Sequence, residues 1–319
     1  SEVDLSQDQL LPGALRFSII GGAGVGAARG SHSVAGAYAE GLTEDIGDWI
    51  QGPDRLIVLT SPAASFPGPD HRGFCGIRPS VYYPETDDVN KQAGWLDDDR
   101  LEFRCDSSPK IAKHTGGCVV WSSRPVWHLD GNRAANPDTG IGVDQTAAHI
   151  WKALYDQQNT DTKYYDANGE QKTKNIPGRY NSLDRGCASQ TGCLTRSTEK
   201  RTVKGTVPDL NGRAAKRECR KIRTTPPGVT KRSCDEYPFA STHEGVHYAG
   251  INFSVAIIEC QDNTTAGALL SGWYQQQRIL EKDPFWVDAT KKGSTPPAGV
   301  IPPDVTTPDL SGIGDGCSG

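Results

Sequence analysis

Residues 234–244 read Cys-Asp-Glu-Tyr-Pro-Phe-Ala-Ser-Thr-His-Glu. Two adjacent carboxylates, Asp235 and Glu236, run into a turn fixed by Pro238. A hydroxyl pair, Ser241 and Thr242, and an imidazole–carboxylate pair, His243 and Glu244, follow at once. Neighbours on an extended segment point to opposite faces, so Asp235 and Glu236 are expected to do different things. Glu236 is expected to face a site. Asp235 is expected to be a ligand or a structural partner of the basic segment upstream. That segment, residues 196–232, holds 12 Lys/Arg against 3 Asp/Glu, whereas residues 1–110 hold 9 against 17, and the whole chain carries a net −5. A basic block in an acidic chain makes a local anion site, although a solvated helix face is the plainer reading of the same charges. Carboxylates able to hold a hard cation, beside a surface able to hold phosphates, point to phosphodiester hydrolysis.

Working outward, Asp209 is expected to cap a helix over LNGRAAKRECRKI that Pro226, Pro227 and Gly228 stop. AGINFSVAIIEC (249–260) is apolar on both faces and predicts a central strand. Asn263 and Thr264 open a helix predicted to run to about Leu280, with Ala266, Leu269, Leu270, Trp273 and Tyr274 inside. PFWVDA closes as a strand. Asp144 is expected to cap an earlier helix whose stripe of Ala147, Ile150, Trp151, Leu154 and Tyr155 faces the core. Residues 101–121 read as two strands around a cysteine loop, and 156–208 as a polar insertion. LRFSII and RLIVLT in the first hundred residues read as strands. The Gly-rich run between them misses the G-x-G-x-x-G register, because Arg29 stands where the third Gly belongs. The expected fold is α+β: a mixed or antiparallel sheet flanked by helices, disulfide-stabilised, with a β-rich N-terminal accessory region. The expected domains are 1–100, 101–292 and a Pro/Gly-rich tail, 293–319.

Composition narrows the setting. Mean hydropathy is −0.55, with 36 Gly and 21 Pro. No run approaches the roughly 18 apolar residues of a membrane span, so no membrane association is expected. Nine cysteines suit an oxidising compartment. Local spacing suggests the pairs Cys105–Cys118, Cys187–Cys193 and Cys219–Cys234, leaving Cys75, Cys260 and Cys317; spacing alone does not fix connectivity. The absence of a C-x-x-C pair argues against a zinc ribbon. A start at Ser1 with no Met is read as a processed or trimmed product, and a secreted monomer is expected.

CDEYPFAST followed by Glu-Gly resembles the signature of the NucA/NucB family of secreted bacterial deoxyribonucleases, and most closely its actinobacterial members. GRAAKRECRKI with TPPG resembles that family's basic helix. CQDNTTAGALLSGWY resembles its Asp-Asn-x-x-Ala-Gly segment, and RILEKDPFWV its last strand. FRCDSS with GGCVVW is similar to upstream regions of actinobacterial members. The resemblance spans roughly residues 100–290 and is most specific at 234–244. It implies a metal-dependent endonuclease acting on DNA with little sequence preference, RNA being the other candidate, and Mg²⁺ or Mn²⁺ as the cation. It implies Asp235, Glu236, Glu244 and Asn263 as oxygen ligands; Glu236, Asp235, His243 and Glu244 are the expected catalytic set, His243 being read from its place in the His-Glu pair rather than from the resemblance. Arg213, Lys216, Arg217, Arg220, Arg223 and Ser241 are the expected phosphate contacts. The order strand, strand, helix resembles ββα-metal nucleases, in which an Asn on the helix binds the cation. The chain departs from the family pattern at His243, Val246 and Thr264.

Two rival readings stand beside this one. His243-Glu244-Gly245-Val246-His247 matches H-E-x-x-H, the zinc-protease pattern, which works only on a helix that sets both imidazoles on one face. Pro238, Gly245 and the β-rich run that follows oppose such a helix, and position 253 holds Phe rather than a third His. The other rival is a non-catalytic secreted binding module.

Overall fold

The computed structural model describes residues 69–82, 92–95, 101–111, 116–121, 123–133, 142–181, 187 and 192–295, together with the backbone of four strands nearer the N-terminus. The chain divides into two compact units, Ser1–Ser122 and Ser123–Gly319. The first contains β1 (Arg16–Ala23), β2 (Ser33–Ala35), β3 (Thr43–Asp45), β4 (Val58–Thr60), β5 (Gly73–Tyr82), β6 (Gln92–Trp95), β7 (Leu101–Asp106) and β8 (Gly117–Val120). Its main sheet has the order β3-β1-β5-β7-β8, with β6 also on β5. The two strands expected around the cysteine loop are β7 and β8. They pair with each other and β7 pairs with β5, so residues 101–121 belong to this unit rather than to the C-terminal one. Cys105 is bonded to Cys118 across β7 and β8. The strands expected at LRFSII and RLIVLT fall on β1 and β4. Most of the Gly-rich run and of the 293–319 tail lies outside the described residues.

The second unit holds β9 (Val126–Asp130), α1 (Asp144–Tyr155), β10 (Leu194–Thr195), α2 (Val207–Cys219), β11 (Arg232–Tyr237), β12 (Ser254–Glu259), α3 (Cys260–Gln276) and β13 (Pro284–Thr290). Strands β10, β13 and β9 form a mixed sheet: β13 runs parallel to β9 and antiparallel to β10. Strands β11 and β12 form an antiparallel pair. The fold is therefore α+β, with small sheets flanked by helices.

The β11–β12 register positions everything that follows. Cys234 lies opposite Ile257 and Glu236 opposite Val255, on one face. Asp235 lies opposite Ala256 and Tyr237 opposite Ser254, on the other. The first face receives α2, through Ala214, Ala215 and Cys219 against Val255, Ile257 and Phe253. The Cys219–Cys234 disulfide stitches helix to strand there. The second face receives α1 and α3, whose Ile150, Leu154, Leu269 and Leu270 join Trp127, Tyr237 and Phe285 in the larger core. Each such aliphatic side chain contributes about 1.5–3 kcal/mol when fully buried. The predicted stripe of α1 is thus a core face, with Trp151 and Tyr155 at its half-buried margin.

Helix starts differ from expectation in an informative way. Asp144 lies in the first turn of α1 and makes no cap bond. The cap comes from α3 instead: Asp262 accepts the Gln145 and Thr146 backbone N–H groups at 2.9 and 2.8 Å and the Thr146 hydroxyl at 2.6 Å. Asp209 likewise lies in the first turn of α2, accepting the Gly205 N–H at 2.9 Å. Helix α3 begins at Cys260, earlier than expected, and directly continues β12. Asn263 therefore sits inside its first turn, beside β11. The strand predicted from 249 begins only at Ser254, because residues 245–252 are turns and Gly250 takes a positive φ of 63°.

Candidate functional site

Side chains from α1, α2, β11, the loop after β11, α3 and the segment after β10 converge on one open cleft of about 600 Å³ in the second unit. Its lining includes Ser197, Arg201, Lys216, Asp235, Glu236, Ser241 and Asn263. Among the described residues strand β11 pairs only with β12, so residues on either of its faces can reach the cleft along its other edge.

Glu236 is the most perturbed acid of the group. Its side chain is only 11% exposed, and its nearest cation is Arg201, at 3.6 Å from Nη1 to Oε1. Burial pushes its carboxyl up to about 7; Asp235 adds to the rise, while Arg201, His149 and Lys216 hold it down. Arg201 comes from the turn before α2. A Cβ at Gly212 would stand 2.4 Å from Arg201 Nη2, so the glycine provides the room for the guanidinium to lie along the helix.

Asp235 points to the other face, as its strand position dictates. Its partner is not the basic helix but His149 of α1: Oδ2 lies 2.6 Å from Nδ1, and the other ring nitrogen lies 2.8 Å from the Ser254 hydroxyl. Its second oxygen accepts the Glu236 backbone N–H at 3.0 Å. Asp235 is thus hydrogen-bonded within the protein through both oxygens, and it fixes the backbone from which Glu236 projects. Asn263 is tied differently. Its amide nitrogen donates to the Ser233 hydroxyl (2.9 Å) and the Cys234 carbonyl (3.1 Å). A carbonyl only accepts, so this assigns Nδ2 to β11 and leaves Oδ1 as a hard oxygen donor at the cleft.

Other expected site residues are placed elsewhere. Glu244 turns away from the cleft, accepting the Thr195 N–H at 2.8 Å and its hydroxyl at 2.5 Å. His243 Nε2 lies 2.7 Å from Glu281. The Thr242 hydroxyl is buried against the Phe239 carbonyl. No helix forms over 243–247, and His247 packs against the Tyr248 ring, so the two imidazoles share no helix face and the zinc-protease reading loses its geometry. Ser241 lines the cleft, its hydroxyl 3.1 Å from that of Tyr274. Of the expected phosphate contacts on the basic segment, Lys216 alone lines this cleft. Arg213 pairs with Asp209 at 2.8 Å, and Arg223 lines a second cavity with Lys163 and Lys221. Arg217 and Arg220 are exposed on the surface of α2 and just beyond it. Among the described residues no three His, Cys, Asp or Glu side chains cluster so as to hold a metal.

Three contributors were missed in the sequence. His149 interrupts an apolar stripe, which is a weak signal of a buried polar partner. Asn211, fully buried on α2, donates to the Ala240 and Thr242 carbonyls and accepts the His247 N–H, clamping the loop after the cis Tyr237–Pro238 bond. A Cβ at Gly245 would stand 2.2 Å from the Asn211 amide nitrogen. Arg201 was lost within a run of twelve basic residues with nothing local to single it out.

Residues 180–288 match the family Deoxyribonuclease NucA/NucB. No curated protein and no solved structure matches the chain. The matched stretch takes in β10, α2, β11, β12, α3 and most of β13, and so all the cleft residues named above, while His149 and its helix lie before it. Over about a third of its length, then, the chain is similar to the deoxyribonuclease domain of the NucA/NucB family.

Proposed function

We propose that the cleft hydrolyses phosphodiester bonds of DNA within the strand and with little sequence preference, using Glu236 as general base and a hard divalent cation held by Asn263. The observation that carries this reading is the Glu236 carboxyl: it is buried beside Arg201 and Lys216, and its pKa lies near 7. A general base works best with a pKa near the working pH, and an ordinary glutamate is too weak a base for water. The backbone of β11, held by Asp235 and His149, orients this side chain. Lys216 and Arg201 supply cationic charge for the phosphate.

Asn263 Oδ1 fits a cation such as Mg²⁺ or Mn²⁺, which prefers oxygen donors and keeps several waters when few protein ligands are offered. The donor set does not suit a closed zinc site, which needs four N or S ligands. When bound, the cation neutralises charge on the phosphoryl and leaving oxygens. The disulfides Cys105–Cys118, Cys187–Cys193 and Cys219–Cys234 support a secreted enzyme. No helix among the described residues is long and apolar enough to cross a membrane.

Plasmid digestion with and without EDTA, followed by add-back of Mg²⁺, Mn²⁺, Ca²⁺ or Zn²⁺, tests the metal. Nicking restored by Mg²⁺ or Mn²⁺ is expected; full activity in EDTA would end that part. Glu236→Gln is expected to lose about 10²–10⁴-fold in kcat. A Gln variant that cuts at the parent rate would remove Glu236 from the mechanism.

A further inference from the structure

The segment 195–198, which walls the cleft, is held by the signature motif from behind. Thr195 gives both its N–H and its hydroxyl to Glu244. Arg196 N–H donates to the Asp283 carbonyl at 3.1 Å, and its own carbonyl accepts the Lys282 N–H at 2.7 Å. Ser197 N–H donates to the Ser241 carbonyl at 2.8 Å. Thr198 gives its N–H and hydroxyl to Glu281, at 2.6 and 3.0 Å, and the other oxygen of Glu281 meets His243. The His-Glu pair that resembled catalytic machinery is thus bracing for this segment.

One polar atom in the segment stands apart. Ser197 is 3% exposed and lines the cleft, yet among the described residues its hydroxyl has no hydrogen-bond partner. A buried hydroxyl without a partner costs about 1–3 kcal/mol, so such a group calls for an explanation. The neighbouring threonine hydroxyls on either side are both satisfied, which shows that the local fold can satisfy such groups. The same cleft is lined by Arg201 and Lys216.

We propose that Ser197, Arg201 and Lys216 form a phosphate subsite in which the Ser197 hydroxyl donates to a non-bridging oxygen of the bound DNA strand. This rests on the nuclease reading and adds to it a neutral donor that positions substrate, with Gly212 as the seat of the arginine and His243, Glu244 and Glu281 as supports.

The test uses the full chain carrying Glu236→Gln, so that DNA stays intact, and a fluorescent 12-base-pair duplex in EDTA over a salt series. Adding Ser197→Ala is expected to weaken binding about three- to tenfold, the worth of one neutral hydrogen bond. The salt slope should not change, because a neutral donor releases no counterion. Thermal stability should hold or rise, since no protein hydrogen bond is lost. Adding Arg201→Ala is expected to weaken binding more and to reduce the salt slope by about one. Gly212→Ala, whose methyl would displace the guanidinium, should reproduce the Arg201→Ala result while a helical Ala keeps α2 formed. Inorganic phosphate should compete with DNA for the parent and less well for Ser197→Ala. Unchanged affinity and phosphate competition in Ser197→Ala overturn the proposal, and so does a loss of affinity that merely tracks a fall in melting temperature. Cleavage by the parent chain is scored separately. A parent that fails to cut DNA defeats the nuclease reading, whereas a cutting parent with an indifferent Ser197→Ala defeats the subsite alone.

Discussion

Glu236 carries an energetic cost that the proposed role as general base would explain. Its carboxyl titrates near 7 in the folded chain, against a usual value of 4.5, because the folded state shields it from water. The folded state therefore favours the protonated form. The penalty is absent below the unfolded value, grows as pH rises from about 4.5, and is complete above about 7. Ionisation then costs on the order of 3 kcal/mol. Glu236→Gln should accordingly be more stable than the parent at pH 8, by up to that amount, and equal to it at pH 4. Urea unfolding at both pH values in EDTA checks this; equal stability at pH 8 would mean the carboxylate is solvated. Arg201 holds the same carboxyl down, so its removal should move the acidic limb of the cleavage profile to higher pH. A limb that stays in place in Arg201→Ala would separate the two groups electrostatically. The opposed orientations of Asp235 and Glu236 were legible in the sequence, since a strand alternates by geometry. The partner of Asp235 was not, because His149 lies 86 residues away and no local pattern joins them. The partner of Glu244 was not legible for a related reason: its donors come from Thr195, a strand edge brought close only by the tertiary fold.

Between elements, two ties hold the cleft open in its present shape. Asp262 on α3 caps α1 with three accepted hydrogen bonds, and the next residue is Asn263. Asp262→Ala should cost about 1–2 kcal/mol, as the loss of a helix cap does. A denaturant midpoint unchanged within error would show that water replaces the carboxylate. The second tie is Cys219–Cys234, which joins α2 to β11 two residues before Glu236, with a sequence separation of 15. Closing a loop of that length is worth about 3 kcal/mol in the chain-entropy picture. The double variant Cys219→Ala, Cys234→Ala should lower the melting temperature and raise KM for DNA, because α2 carries Lys216 and the seat of Arg201. A variant with parent KM would show that apolar packing alone fixes α2. Helices α2 and α3 and strand β12 were legible, because their patterns are local: charge and alanine periodicity, Pro and Gly stops, and a continuous apolar run. Their starts were not. A carboxylate near a helix N-terminus looks the same in sequence whether it caps its own helix or another, and Asp144 and Asp262 differ only through packing.

At the scale of the whole molecule, the cleft lies within the second unit: every residue lining it falls between Trp127 and Tyr274. The sequence located the motif and the split between an acidic first part and a basic later stretch, since charge is additive along the chain. It put the division too early, because β7 and β8 owe their place to pairing with β5, a non-local fact. A chain trimmed to residues 123–319 should therefore keep the cleavage chemistry. Residues 1–110 carry an excess of 8 negative charges, from 17 Asp/Glu against 9 Lys/Arg, and like charge slows the approach of DNA. The trimmed chain should then bind DNA faster at low ionic strength. The advantage should fade towards physiological salt, where the Debye length is only about 8 Å. Stopped-flow association at several salt concentrations, run beside plasmid cleavage by both chains, decides the matter. A trimmed chain that is folded yet inactive would place an essential group in the first unit. One that is active but no faster at low salt would mean that the acidic residues exert no field on incoming DNA.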